Sequence, residues 1–573
     1  MDLDPPFSSS GVSHEHIKDP PFIGKDNNNF KSATDLLLSF SLLAEENKAK
    51  IQHLVVAASE ELKQLVLEKE PFWMIDKHSE MEVLNNTEYN RRFSCLDATL
   101  EEVIRVITTG GPVELPEFNK NSETLNVDKS FPKLSAENDF SSMEIEASRA
   151  VGFVSADPLS LAKMVIDVEQ WSSAFSNIVT RASNLGILST GELGTPNGNL
   201  QVVTAELHFP SPLVRTREIC FARYCKQLGT DTWLVVDVSL ESIFPNLALR
   251  CRRRPSGCLI EALNKGSSKV TWVENNAISD GSLGGMFGRA SALAFGAKRW
   301  IATLERKFDW KYTLEQFDHT TSPTKKKKKK NAGRKSLLTL ADRMVRKFDA
   351  NVTSCSANQW RSLPITGAEN ILIKTGINHG QSVSPPVVTV TIATSVRLQK
   401  SQKDVFKVLC SVNERDKWDI LSHDRVAQEI EQISFGPDPA NTVSLLLSMP
   451  RSVIEAEDKA KAKKKKEIMY VQETISDSVG LYVIYSPINK AAMHHIMDGK
   501  DPDIVSILPS GFVVFPDPDS GGSILTIAFE ILDGNLCNPE QQLPPQSVAT
   551  AYSIIKITLD LIKAAIQQSD DQK

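Results

Sequence analysis

The sequence predicts an α+β protein with two similar domains, each a curved antiparallel sheet with a long C-terminal helix packed across it. In both halves, runs of Val, Ile and aromatic residues alternate with turn residues, which predicts meanders of short strands. Each half also ends in a long amphipathic helix. The halves repeat the same order of elements, which indicates an internal duplication. A helix with one apolar face can bury that face against such a sheet.

Composition is that of a globular protein rather than a polycation or a membrane protein. The chain has 573 residues, 41% of them hydrophobic and 24% charged, with a net charge of −6. The eight cysteines are scattered without a C-x-x-C pair or zinc spacing, so we interpret them as reduced thiols and predict no metal site. No apolar run reaches the roughly 18 residues that a membrane span needs.

The first 45 residues are rich in Pro, Ser, Asn and Asp, and we expect residues 1–45 to be disordered. Between 44 and 70, apolar residues recur at helical spacing until Pro71 ends the pattern. These are Ile51, Leu54, Val55, Ala58, Leu62 and Leu65. A zipper is one interpretation, but a coiled coil needs three or four sustained heptads, so we favour packing on its own domain.

The rest of the first half predicts a helix over 160–175, then a meander of strands. The strand-like segments are 199–209, 217–227, 232–240, 258–263 and 269–278. Leu293, Ala297, Trp300, Leu304 and Phe308 then keep helical spacing. We expect one domain over residues 46–315.

The second half repeats this plan. Residues 162–191 and 406–436 each hold an apolar helix, a tryptophan (Trp171 or Trp418) and a strand-like stretch that ends in glycine. The tryptophan-to-glycine interval is 20 residues in the first half and 18 in the second. The closing helix carries Val548, Ala551, Ile555, Leu559, Ile562 and Ile566 on one face. We therefore expect a lysine-rich linker at 316–336 and a degenerate second domain at 337–570.

A sheet closed by a helix encloses a space, and an unfilled one is a pocket for a lipid-sized ligand of roughly 300–1,000 Å³. The alternative is a filled interior and a scaffold role. The candidate cavity residues are Arg217, Phe221, Arg223, Tyr224, Trp233, Asp237, Trp272, Glu274, Phe295 and Trp300. Because strand residues alternate faces, we expect most of the charged side chains on these strands to face solvent.

Several stretches resemble the START domain of plant class IV homeodomain-leucine zipper proteins. They include EPFWM (70–74), EYNRRFS (88–94), RASNLGILSTGELGTPNGNLQVVTAEL (181–207), SPLVRTREICFARYCKQ (211–227) and FGAKRWIATLERK (295–307). LADRMVRKF (340–348), VQETISDSVGLYVIYSPI (471–488) and GKDPDIVSILPSGFVVFPD (499–517) are similar to the START-associated region of that family. The resemblance implies a START-type helix-grip fold, sterol or phospholipid binding, and gene control in the nucleus.

The chain departs from that family's pattern at its N-terminal side. The family places a homeodomain and a zipper before the START domain, but no W-F-x-N-R recognition helix is found in this sequence. Reading base edges requires such a helix. We therefore expect no sequence-specific DNA binding from this chain. We expect it to be either a truncated or alternative product, or the product of a gene that has lost its DNA-binding half.

A basic run, SPTKKKKKKNAGRK, lies at 322–335 between the predicted domains. Uniform lysine suits recognition by import receptors or loose phosphate contact, and no aromatic residue interleaves it for base stacking. A nuclear address, a solvated linker, and attraction to nucleic acid or anionic membrane all remain open. The nuclear-address candidates are Lys325, Lys326, Lys327, Lys328, Lys329, Lys330, Arg334 and Lys335.

No catalytic signature is found, so we predict a non-enzyme without a cofactor. The favoured function is a lipid- or sterol-binding regulator of transcription in the nucleus, acting through protein partners that include related transcription factors. The alternative is a lipid carrier outside the nucleus, in the cytoplasm, with its lysines attracted to anionic membrane. A third hypothesis is a protein that competes for partners and binds no lipid.

Overall fold

The computed structural model describes residues 43–571 except 77–80, 94–143, 241–250, 265, 279–290, 320–324, 356, 379–386, 421–424, 452–466 and 537. The predicted disordered segment 1–45 lies almost entirely outside the described residues. The described chain forms two α+β domains, each with one antiparallel sheet, which confirms the predicted fold class.

The first domain is built on strands β1 to β10. Their bounds are β1 Trp73–Ile75, β2 Glu82–Leu84, β3 Glu144–Val154, β4 Val179–Thr190, β5 Asn199–Leu207, β6 Arg217–Gly229, β7 Thr232–Ser239, β8 Cys251–Arg253, β9 Ser256–Asn264 and β10 Ser267–Ile278. They pair in the order β1-β2-β3-β10-β9-β7-β6-β5-β4, with β8 alongside β10. The predicted meander is therefore present, and β3 returns to pair with β10.

Helices cover both faces of this sheet. They are α1 Lys48–Leu67, α2 Pro158–Ile166, α3 Val168–Ala174, α4 Ser291–Phe295 and α5 Ala297–His319. Helices α2, α3 and α5 share the inner core with the sheet, whereas α1 packs on the outer face. All six apolar residues predicted for α1 are buried there, so this helix packs on its own domain.

The predicted helix over 160–175 is two helices that meet at Asp167. The Asp167 carboxylate accepts hydrogen bonds from the backbone N–H groups of Glu169 and Gln170 at 3.1 and 2.9 Å. A side chain that caps the next helix in this way competes with continuation of the first. The break turns the chain so that Trp171 enters the core fully buried.

The second domain holds strands β11 to β19. Their bounds are β11 Arg361–Ser362, β12 Leu372–Asn378, β13 Val387–Leu398, β14 Arg425–Ser434, β15 Thr442–Pro450, β16 Ile468–Ser476, β17 Leu481–Ile488, β18 Ser510–Pro516 and β19 Ser523–Leu532. Its helices are α6 Lys325–Val352, α7 Gln402–Cys410, α8 Arg415–Trp418, α9 Lys490–Met497 and α10 Pro545–Asp571. The sheet order is β11-β12-β13-β19-β18-β17-β16-β15-β14.

This order repeats that of the first sheet strand for strand once β8 is set aside. The duplication also includes the preceding helix, because α6 covers the outer face of the second sheet as α1 covers that of the first. One pair of equivalent strands shares the tripeptide Pro-Ser-Gly, at 255–257 for β9 and at 509–511 for β18. In both cases the proline comes directly before the strand and the serine is its first residue. Each domain is thus a helix, a sheet and a closing helix.

The two domains share one continuous core. Helix α6 lies between α5 of the first domain and the outer face of the second sheet. Aromatic pairs bridge the junction, with ring centroids 4.5 Å apart for Phe209 and Phe515 and 4.8 Å for Trp310 and Phe435. A hydrogen bond of 2.8 Å joins the hydroxyls of Ser211 and Ser395. Apolar contact therefore couples the domains directly.

The lysine run belongs to a helix in the structure. Helix α5 extends to His319 and α6 begins at Lys325, so the six lysines form the first turns of α6 rather than an extended linker. Lys329 pairs with Asp498 at 2.9 Å, and Arg334 pairs with Glu431 at 2.6 Å. These acidic partners in the second domain offset the repulsion among neighbouring lysines. The domain boundaries themselves remain predictions.

Candidate functional site

The interior of the first domain, between its sheet and α5, is the predicted ligand site, and three tryptophans stack there. Trp300 of α5 lies between Trp171 of α3 and Trp272 of β10, with centroids 5.8 and 5.0 Å away and interplanar angles of 10° and 9°. Phe175 and Phe221 pack against the edges of the stack. Since such rings bury large apolar areas in preferred geometries, they hold α5 on the sheet.

A network of ion pairs lies beside the aromatic stack. Arg223 of β6 donates to both Asp237 carboxylate oxygens at 2.8 and 2.9 Å, and to the carbonyl of Val165 at 2.7 Å. Arg253 of β8 donates to Glu274 of β10 at 2.7 Å. The Nε of Arg253 lies 3.5 Å from Asp237, which joins the two pairs. Fully buried charges are tolerated because they are paired in this way.

The electrostatics of the network follow from burial and pairing. Burial acts to lower the pKa of the Arg253 guanidinium, but the carboxylates of Glu274 and Asp237 outweigh it and raise that pKa. Burial raises the pKa of Glu274, opposed by Arg253 and by the Trp272 indole N–H, which donates to Glu274 at 2.8 Å. Arg253 therefore remains a cation inside the domain.

All but one of the ten predicted cavity residues point to the inner face. Arg217 lies over the Phe295 ring at 3.9 Å, and Trp233 is buried in the same core as Phe221, Trp272 and Trp300. Tyr224 is the exception. Successive side chains on β6 point to opposite faces of the sheet, and Tyr224 lies on the outer face, where it packs with the core under α1.

The expectation that most strand charges face solvent is wrong. Among the charged residues singled out on these strands, Arg217, Arg223, Asp237 and Glu274 are buried, and Glu218 is exposed. Their mutual pairing offsets the desolvation cost that would otherwise make an inward orientation of these charges unfavourable. Pairing across strands depends on register, which the sequence pattern did not provide.

Two contributors were missed as site residues. Arg253 is 1% exposed and links Glu274 to Asp237. It lies in an Arg-Arg-Arg run, a pattern that is typical of an exposed segment. Trp171 lies under the Arg223 guanidinium at 4.2 Å. The available signal was the pair of acidic residues within apolar strands, because buried acids require buried cations.

No lipid-sized space is present among these side chains. Trp171, Trp300 and Phe221 expose 0% of their surface, and a large internal void beside them would leave ring surface exposed. Two cavities bounded by described residues measure about 40 and 10 Å³. The larger lies at the domain junction and the smaller beside Glu274 and Asn276. Both are far below the roughly 300 Å³ of a small-molecule pocket.

The interior of the second domain uses a smaller set of charges. Arg415 pairs with Asp419 at 2.8 Å and hydrogen-bonds Gln472. Its guanidinium lies 4.3 Å from the Tyr485 ring centroid. Trp418 is fully buried and packs edge-on against Phe512, as Trp171 packs against Phe221.

Two further properties concern only the part of the chain that the structure describes. Within it, no helix combines the length and the apolar character needed to cross a bilayer. Nor do these residues hold a group of three or more His, Cys, Asp or Glu side chains placed to bind a metal ion.

Family models match both halves of the chain. The model described as "START domain" matches residues 120–307, and the model described as "PDF2-like, C-terminal domain" matches residues 330–568. These matches confirm the resemblance predicted from the sequence.

Curated relatives cover most of the chain. Homeobox-leucine zipper protein HDG3 of Arabidopsis thaliana is 35% identical over 489 residues, which are 81% of this chain and 63% of that protein. HDG1 from the same plant is 33% identical over 546 residues, covering 91% of this chain and 61% of that protein. The chain thus spans about three fifths of the length of the curated relatives it matches.

Among solved structures, human StAR-related lipid transfer protein 5 is 14% identical and covers 42% of this chain and 98% of its own. The TM-score of this match is 0.24.

Proposed function

Because the chain carries a START domain and a PDF2-like C-terminal domain and is homologous to homeobox-leucine zipper proteins, we propose that it regulates transcription through protein partners. In this proposal the START domain serves as a filled, rigid scaffold and has no enzymatic activity. Related homeobox-leucine zipper proteins are the proposed partners, and they supply the contacts with DNA bases.

The filled interior of the first domain is the observation that carries the scaffold role. The space that a lipid would need is occupied by Trp300, with Trp171 and Trp272 against its two faces. Displacing an indole from this stack would cost several kcal/mol, comparable to the roughly 3–5 kcal/mol of a tryptophan-to-alanine substitution. A lipid would have to offset that cost before any net binding appeared.

Native mass spectrometry of the purified chain mixed with a plant lipid extract tests this role. We expect the mass of the unliganded chain, because the described side chains between the first sheet and α5 leave no lipid-sized space. Trp300→Ala incubated with indole is the matched control. This substitution creates a void in which indole can bind, as apolar cavities bind small aromatic molecules. A wild-type chain that retains one lipid per molecule would overturn the scaffold role.

Immobilised full chain, incubated with purified related homeobox-leucine zipper proteins, tests the regulatory role. Retention of a relative at micromolar concentration supports the proposal. Failure to retain any of them, with a folded chain on the support, would count against it. This measurement is independent of lipid, so the two parts of the proposal fail separately.

Lipid binding is the second candidate function, and unpartnered polar atoms favour it. The Nη1 of the buried Arg253 and the Oδ1 of Asn276 have no hydrogen-bond partner within the described structure. Asn276 also borders the cavity of about 10 Å³, which is room for about one water. A polar lipid head group that entered this space could satisfy such atoms.

Substitution of the lysine run distinguishes a nuclear regulator from a lipid carrier outside the nucleus. We propose that Lys325–Lys330 form a nuclear address, since these lysines lie in the first turns of α6 and Lys328, Lys329 and Lys330 are exposed. Replacing all six with glutamine should then reduce nuclear accumulation of a fluorescent fusion. A carrier would instead lose lipid transfer between anionic vesicles and keep its distribution in the cell.

A further inference from the structure

The junction between the two domains buries two carboxyl groups that have no partner for one oxygen each. Asp349 of α6 is 2% exposed and its Oδ1 has no hydrogen-bond partner in the described structure. Glu473 of β16 is 3% exposed, and the same holds for its Oε2. Both residues line the cavity of about 40 Å³, which has room for about two or three waters.

This cavity lies where elements from both domains meet. Helix α5 and α3 of the first domain supply one wall, and α6 and the second sheet supply the other. Arg306 and Lys307 of α5 border the same space, yet among the described residues no ion pair within 4.0 Å joins either of them to Asp349 or Glu473. The two acids are therefore close to cations without being held by them.

Other charged or titratable groups also act on the cavity. Arg346 of α6 pairs with Asp342 at 2.8 Å and donates to the Ser173 hydroxyl at 3.2 Å. The remaining charged or titratable groups that act on this cluster are Arg299 on α5, Asp477 in the turn after β16, and Tyr482 on β17. The cluster thus combines several acids and bases in a space closed only when the domains are docked.

We propose that docking of the two domains is pH-sensitive, with Asp349 and Glu473 binding protons when the junction closes and releasing them when it opens. A buried carboxyl without donors to both oxygens is disfavoured as an anion. When protonated, it can donate its own hydrogen bond to a water in the cavity. Opening returns both groups to water, where they ionise.

The pKa directions agree with this geometry. Burial raises the pKa of Asp349 to about 7, although Arg306 and Arg299 oppose the change. Burial likewise raises the pKa of Glu473 to about 8, opposed by Arg306. Their ordinary values are 3.8 and 4.5. The closed junction therefore binds more protons than the open one between these limits.

The sign of the pH effect follows directly. The stabilisation from these two groups is fully present below about pH 4, and it is lost as the pH rises through about 7 and 8. Each proton released on opening shifts the opening equilibrium about tenfold per pH unit within that window. The junction therefore weakens over the neutral range.

Urea unfolding of the full chain between pH 5.5 and 8.5, followed by tryptophan fluorescence, tests the proposal. Trp310 reports on the junction because it packs against Phe435 across it. We expect the wild-type midpoint to fall as the pH rises. Asp349→Asn with Glu473→Gln should flatten that slope and exceed wild type at pH 8.5, with an opening equilibrium at least about tenfold smaller.

Glu431→Gln is the matched control. Glu431 is a carboxylate on β14 that also contacts α6, through Arg334, but it does not line the cavity. This variant should keep the wild-type pH slope. If the double variant does not fold, the single variants Asp349→Asn and Glu473→Gln should each remove part of the slope. Unchanged slopes in every folded cavity variant would overturn the proposal.

Discussion

The two domains share one strand order but bury their charges differently. The first domain places two arginines and two acids in one network beside three stacked tryptophans. The interior of the second domain holds the Arg415–Asp419 pair, supported by Gln472 and by tyrosine rings. The same topology therefore accommodates two different interiors, and fold identity alone says little about what an interior can bind.

The outer faces differ as well. In the first domain, α1 covers the outer face of the sheet, together with local segments such as the one that carries Trp73. In the second domain, α6 covers the outer face and is itself packed against α5 of the first domain. The second domain thus relies on its neighbour to complete its surface, whereas the first relies on its own preceding helix.

Removing an acid from each network should have the largest effect and should separate the domains. Asp237→Ala leaves Arg223 without its bidentate partner and removes a negative charge that lies beside Arg253. We therefore expect the free energy of unfolding to fall by about 5 kcal/mol. Asp419→Ala leaves only Arg415 without its carboxylate, and Arg415 still donates a hydrogen bond to Gln472. This change should lower the free energy of unfolding by about 3 kcal/mol. Urea unfolding measures both losses. Equal losses would show that the networks are energetically equivalent despite their different sizes.

Truncating the closing helices should have the next largest effect. Trp300→Ala in α5 removes the middle ring of the stack and should cost about 4 kcal/mol. Ile562→Ala in α10 removes a fully buried aliphatic side chain and should cost about 3 kcal/mol. Thermal unfolding followed by circular dichroism compares them. A larger loss at Ile562 would contradict the view that the aromatic stack is the tighter closure.

Substituting the glycines of the shared Pro-Ser-Gly segments should have the smallest effect. At Gly257 the φ angle is 133°, and an added Cβ would lie 2.1 Å from the Val235 carbonyl oxygen. At Gly511 the equivalent distance, to the Val483 carbonyl oxygen, is 2.6 Å. We expect Gly257→Ala to cost about 3 kcal/mol and Gly511→Ala about 2 kcal/mol in urea unfolding.

Gly194→Ala is the control for the backbone contribution alone. Gly194 has a φ of 83° but open space where the Cβ would lie, so only the left-handed conformation is penalised, by about 1 kcal/mol. A Gly257→Ala loss no larger than that of the control would mean that the adjacent strand shifts to admit the methyl group. The close strand approach would then not constrain this position.

Several features of the fold could be read from the sequence because they are local and periodic. The apolar spacing from Ile51 to Leu65 identified α1 and its buried face, and the strand runs from 199 to 278 correspond to β5, β6, β7, β9 and β10. The repeat of helix, tryptophan and strand around Trp171 and Trp418 identified the duplication. Periodicity of two or 3.6 residues encodes which face of an element is apolar.

The lysine run shows how distant packing decides local structure. The sequence placed the run between the two domains, and in the structure it is helical because α6 is stabilised by apolar residues farther along the helix, including Leu337, Leu340 and Met344, which are fully buried between the domains. The run is helical because it continues that packed helix and meets acids from the second domain. Tertiary packing outweighs local propensity in this case.

The sequence by itself determined the class of the strongly periodic elements, the duplication and the presence of aromatic and charged residues on the strands. Only the tertiary structure decided that Arg223, Asp237, Arg253 and Glu274 face one another, that Trp300 fills the space between two other indoles, and that Asp349 and Glu473 meet at the junction. The reason is physical. Periodicity along the chain specifies a face, whereas contacts between distant residues depend on strand register and helix placement, which are set by packing of the whole core.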